Sequence, residues 1–165
     1  MKKLAIVLTL ASFLALAFTV EERSAPEAVV ELMQQQLAPV VELLTEDGVW
    51  LGWEAAQARV SYYPLATEVA YDVYIPNYLM DNLYLVATVW GDKVYNARLV
   101  LRLGSGQEIG WWFDTIAGSE SFGVVSYPAK GHLNPVGIGE VETIFATLLP
   151  NTYAQLVRGR AMASR

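Results

Sequence analysis

Glu108 and Asp114 are the carboxylates whose spacing most invites a test for acid/base chemistry, since a strand running from one to the other puts both on one face. Six residues of extended chain separate their backbones by about 20 Å. That is beyond the roughly 5 to 9.5 Å of paired glycosidase carboxylates. His132, in the loop-like stretch KGHLNP, is the only histidine, so a Ser/His/Asp relay or a histidine metal site would have to be built on it alone. GSGQEIG at 104–110 lacks G-x-G-x-x-G spacing and leads into a strand where a dinucleotide motif needs a helix. Ser119 and Ser121 in GSESFG lack the spacing of a nucleophile elbow and read as turn residues. The chain has no cysteine, which excludes disulfides and thiolate metal sites. The reading is of a protein without catalytic residues, metal or cofactor.

Binding chemistry is better supplied. In GQEIGWWFDT, Trp111 and Trp112 must face opposite ways if the stretch is a strand. A three-residue loop at Gly104, Ser105 and Gly106 sets Leu103 against Gln107, Leu101 against Ile109, Leu99 against Trp111 and Ala97 against Phe113. These pairs fill one apolar side. The reverse side then pairs Arg102 with Glu108, Arg98 with Trp112 and Asn96 with Asp114. A two-residue loop would mix apolar with charged positions on each face. The preceding strand adds Tyr84, Val86, Thr88 and Trp90 to the reverse side. The candidate ligand surface is therefore Tyr84, Trp90, Arg98, Glu108, Trp112 and Asp114, aromatic planes interleaved with hydrogen-bonding groups. A guanidinium at Arg98 over the Trp112 ring would contribute roughly 0.5 to 1 kcal/mol when exposed.

The elements that must hold this surface follow from periodicity. Lys2 and Lys3, an apolar run from Leu4 to Ala17, and Ala15 and Ala17 in A-x-A order read as a signal peptide spanning 1–17. Residues 18–48 read as a helical segment: Val29, Val30, Met33, Leu37, Val40, Val41 and Leu44 recur at helical steps. Ser24 and Glu27 have capping-box spacing, Pro39 should bend or break the helix, and Gly48 suits a left-handed stop. Residues 49–165 read as a β-rich domain that forms one globular unit with the helix. EVAYDVYI alternates, NLYLVATVW is apolar on both faces as a central strand is, and VYNARLVLRLG places Tyr95, Ala97, Leu99, Leu101 and Leu103 on one side. SFGVVSY is another strand, EVETIFATLL favours a second short helix near 140–149, and NTYAQLVRGRAMA fits either a strand or a helix. The fold class is mainly β with helices (α+β): an antiparallel sheet or an Ig-like sandwich preceded by an amphipathic helix.

The formal charge is −6, and removal of Lys2 and Lys3 from the 11 bases leaves 9 against 17 acids, or −8. Such a surface disfavours nucleic acid and anionic membrane. The expectation is an exported, non-catalytic binding module, periplasmic, extracellular or on the cell surface, holding a glycan, a small apolar ligand or an envelope protein. The alternative is a membrane-anchored or filament subunit that keeps its apolar N-terminal segment.

Overall fold

A computed structural model describes residues 20–61, 69–114, 119–126 and 136–158. The fold is mainly β: an open antiparallel sheet of seven strands laid side by side in sequence order, with helices on one face. The strands are β1 (Val20–Ser24), β2 (Gln57–Ser61), β3 (Ala70–Pro76), β4 (Leu83–Trp90), β5 (Lys93–Arg102), β6 (Glu108–Asp114) and β7 (Ser119–Ser126). The helices are α1 (Glu27–Gln36), α2 (Ala38–Glu46), α3 (Ile138–Leu148) and the single turn α4 (Pro150–Tyr153), which runs on into a π-helical turn at Ala154–Arg158. Consecutive antiparallel strands need only short turns. Gly91 (φ 60°) and Gly106 (φ 85°) supply the left-handed residues that two of those turns require.

The β5–β6 register follows from a three-residue loop. Ala97 faces Phe113, Arg98 faces Trp112, Leu99 faces Trp111 and Arg102 faces Glu108, and Leu103 N–H donates to the Gln107 carbonyl at 2.8 Å. Leu85, Ala87, Leu99, Ile109 and Trp111 therefore share one face, where they are buried with Met33, Leu37 and Leu44 of the helical stretch 27–46 and with Val141 and Phe145 of α3. Trp111 is the centre of an aromatic group, its ring centroid 5.0 Å from Phe122, 5.1 Å from Phe113 and 5.9 Å from Phe145.

Without disulfides, the helices are tied to the sheet by polar side chains that bond main chain. Gln36, at the end of α1, accepts from Val94 N–H at 2.8 Å and donates to the Asp92 carbonyl at 2.7 Å. Buried Gln107 does the same to Val136, ahead of α3. Asp47 accepts from both the main chain and the side chains of Asn151 and Thr152, so it caps the first turn of α4 from another part of the chain. Burial pushes the Asp47 carboxyl up, but those four hydrogen bonds outweigh it and hold the group below its ordinary value.

Several details differ from the sequence reading. The described strands form one sheet, with no second sheet facing it among the described residues. The stretch 18–48 is not helical throughout, because Val20–Ser24 pairs with β2 as an edge strand. Ser24 thus belongs to a strand and cannot cap, and Pro26 stands at the N-cap of α1 without a side-chain bond. The helix breaks at Leu37, with Pro39 in the first turn of α2. Tyr95 leaves the core side: the β4–β5 ladder shifts register at Thr88/Val89, Val94 is buried in its place and Tyr95 is exposed. Of the stretch that fits either a strand or a helix, the described part is helical, Pro150–Tyr153 and then Ala154–Arg158. The signal-peptide segment 1–17 and His132 lie outside the described residues.

Candidate functional site

The helices cover one face of the sheet, and no helix among the described residues covers the other. Strand alternation puts Tyr74 of β3, Tyr84, Val86, Thr88 and Trp90 of β4, Asn96, Arg98 and Val100 of β5, and Glu108 and Trp112 of β6 on this second face. Val86 and Val100 are buried, yet they stand apart from the core cluster.

Trp112 has a seat made of glycine. A Cβ built on Gly110 would meet the Trp112 Cη2 and Cζ3 atoms at 2.9 Å, and one built on Gly123, opposite Gly110 on β7, would meet Cζ3 at 3.2 Å. The benzo ring therefore lies across the bare backbone of two adjacent strands. A side chain at position 110 would fill that notch and one at 123 would tighten it, and an indole over it restores the apolar cover that a glycine lacks. The ring leans along its own strand toward Gly110, and no cation–π pair between it and Arg98 occurs among the described residues. The expected cation–π pair is replaced by ring on glycine. The two residues are opposite in register, but the notch is the closer-fitting place for a flat ring. Trp112 and Arg98 are each half-buried.

Beside this seat is a polar hub. Glu108 Oε1 accepts from the Tyr84 hydroxyl at 2.9 Å and from Arg102 Nη2 at 2.9 Å and Nε at 3.1 Å, while Oε2 accepts from the Ser126 hydroxyl at 3.2 Å. One carboxylate thus joins β4, β5, β6 and β7. Burial pushes the Glu108 carboxyl up, but the bonds from Tyr84, Arg102 and Ser126 prevail and its affinity for a proton falls below the ordinary range. Burial first, and then the bond to Glu108, push the Tyr84 phenol up to about 12. The hub is an ionised acceptor with every oxygen engaged, which suits it to fixing geometry; Tyr74 extends it, its ring centroid 6.4 Å from that of Tyr84.

Trp90 is on the same face but at the opposite end of β4, paired with Lys93 and tilted against Tyr95 at 6.0 Å between ring centroids, each residue 42% exposed. The six residues named from sequence are therefore not one cluster. Tyr84 and Glu108 meet directly, Trp112 and Arg98 lie between, and Trp90 stands apart. Asp114 continues β6 opposite Ser119, but its side chain lies outside the described residues. Sequence reasoning missed Ser126 and Tyr95, because both owe their positions to irregular ladders, between Glu108 and Ile109 and between Thr88 and Val89, that strict alternation cannot foresee. The signal for Arg102 was its register opposite Glu108. A depression of about 340 Å³ is lined by Glu22, Gln57, Arg59 and Tyr74, and on the helix side a groove of about 560 Å³ is lined by Met80, Leu101, Ile144 and Leu148.

No family model, curated protein or solved structure matches this chain.

Proposed function

We propose that the chain is an exported, non-catalytic binding module whose second sheet face, clear of the described helices, holds a glycan, with a sugar ring packed on Trp112. The observation that carries this reading is the glycine seat. An indole on a solvent-facing sheet surface is ordinarily held by flanking side chains, whereas here Gly110 and Gly123 fix its inner side and leave the rest half-exposed. A rigid apolar plane beside hydrogen-bonding groups is what a sugar ring presents itself to: apolar C–H bonds to the plane and hydroxyls to the rim. The Glu108 hub supports the platform by locking the four strands around it. Export is read from the leader-like residues 1–17, and N-terminal sequencing of the mature protein tests it, with Phe18 expected first.

Titrating a panel of oligosaccharides while following tryptophan fluorescence tests the binding reading. The wild type should show saturable quenching, and Trp112→Ala should lose it while keeping its thermal midpoint within a few degrees. Equal binding by both proteins would remove the site. Binding only to an apolar probe or to an envelope protein would transfer the face to that ligand instead.

A further inference from the structure

Among the described side chains, the open face holds more cationic groups than its acids engage. Glu108 is taken by Tyr84, Arg102 and Ser126, Asp72 by the Thr88 hydroxyl at 2.8 Å, and Glu22 by Arg59 at 3.1 Å. Arg98 and Lys93 have neither an ion pair nor a side-chain hydrogen bond among the described residues. Arg98 is also half-buried, and its planar fork is suited to a carboxylate.

The position of these two cations is as informative as their freedom. The Trp112 ring lies over Gly110, level with Val100 of β5, and the Trp90–Tyr95 pair lies at the far end of the same strand. From Val100 to Tyr95 is about 16 Å at strand rise, longer than one sugar ring. Arg98 falls between the two aromatic stations and Lys93 beside the second. Between the stations the face offers the Arg98 guanidinium, which an apolar partner would leave without a counter-charge on binding, whereas the Thr88 hydroxyl is already taken by Asp72. We propose that the ligand of this face is a linear, carboxylate-bearing glycan chain that runs along β5 from Trp112, past Arg98, to the Trp90–Tyr95 pair. This rests on the glycan reading above and adds the charge and the length of the ligand.

The protein's net charge of −6 opposes an anionic ligand at long range. That field is screened beyond roughly 8 to 10 Å in physiological salt, whereas a guanidinium in contact with a carboxylate forms charge-assisted hydrogen bonds inside that distance. The local term decides.

The test uses galacturonate, mannuronate and hyaluronan oligomers of increasing length, each beside its carboxyl-reduced form, titrated against the full chain by calorimetry. At least one acidic series should bind about tenfold more tightly than its reduced form, the change expected of one charge-assisted contact, and affinity should rise with length until the chain reaches both stations. Arg98→Gln should erase the acid preference while retaining Trp112-dependent binding of the reduced oligomers. Arg98→Lys should restore it only in part, since an ammonium lacks the fork. Trp90→Ala should flatten the dependence on length. If reduced and acidic forms bind alike through Trp112, the charge inference is overturned and the platform survives. If no oligomer binds in either form, both readings fall together. Melting curves of each variant separate loss of binding from loss of fold.

Discussion

Trp111 and Trp112 leave the same strand in opposite directions, and the faces they enter are held by different means. On the covered face Trp111 is buried among Phe113, Phe122, Phe145 and Tyr153, beneath helices fastened at their ends by Gln36, Gln107 and Asp47. On the open face Trp112 rests on glycine backbone and is flanked by side chains that bond one another. The first face gains stability from volume and exclusion of water. On the second, hydrogen bonds from Tyr84, Arg102 and Ser126 to Glu108 and from Thr88 to Asp72 hold those side chains in one arrangement without a cover of apolar volume. The sharpest way to break this comparison is to remove each ring in turn. Trp111→Ala should cost about 3 to 5 kcal/mol, a large part of the roughly 5 to 15 kcal/mol that holds a domain together. Trp112→Ala should cost about 1 kcal/mol, since only part of its area is lost to packing. Denaturant unfolding measures both, and similar losses would mean that the two faces are not of different kinds.

Gln107 tests the fastenings of the covered face. Its side-chain amide exchanges two hydrogen bonds with the main chain of Val136, and it is 1% exposed. Gln107→Ala leaves a buried N–H and a buried carbonyl unpaired and should cost about 2 to 3 kcal/mol. Amide exchange at Val136 and in the first turn of α3 should accelerate before that of β4 and β5. Uniform acceleration across the sheet would show that α3 is not separately fastened.

Much of this contrast was legible in the sequence. Apolar alternation and a loop of Gly104, Ser105 and Gly106 specify the β5–β6 register, because a slip by one residue would turn Leu99 and Leu101 to the polar side. The helical spacing of Met33, Leu37 and Leu44 likewise specifies which side of that stretch is buried. What could not be read was where long side chains go once the face is known. Register places Arg98 opposite Trp112, but the ring chose the notch over Gly110, a preference decided by neighbours on β7 that are 11 or more residues away in the chain. Pairing of Gln107 with Val136, or of Asp47 with Thr152, is longer in range still and has no local signature.

Asp47 and Glu108 compare the faces by pH. Each has a lowered pKa in the fold, so the folded protein resists a proton that the unfolded chain accepts. The stability they contribute is complete above the ordinary values of 3.8 and 4.5 and is lost as pH falls through the lower folded values. Asp47→Asn and Glu108→Gln should each cost about 1 to 2 kcal/mol at neutral pH and flatten the acid limb of the stability curve. Asp47→Asn should leave ligand binding intact, because the helix it caps lies on the covered side. Glu108→Gln should weaken binding as well, because Tyr84 and Arg102 lose the charge of their common acceptor and Arg102 its ion pair. An unaltered acid limb in both variants would count against either carboxylate as a strut.

The smallest effect is the most informative about the platform. At Gly110 an added methyl meets Val125 Cγ2 at 2.8 Å and the Trp112 ring at 2.9 Å, so something must shift; at Gly123 the nearest approach is 3.2 Å, which a few tenths of an ångström relieve. Neither glycine has the positive φ that would strain alanine. Replacing glycine also narrows the unfolded ensemble, a gain of about 0.4 to 1 kcal/mol, against about 1 to 3 kcal/mol for an overpacked site. The sum should be a loss of about 1 kcal/mol for Gly110→Ala and near zero for Gly123→Ala. Trp112 fluorescence should shift in the first variant as the ring swings off its seat, and glycan affinity should fall with it although the indole is still present. Because Gly123→Ala nudges the same ring without displacing it, it should bind nearly as the wild type does. If both alanines bind equally well, the ring's placement is immaterial and the seat is a packing feature alone.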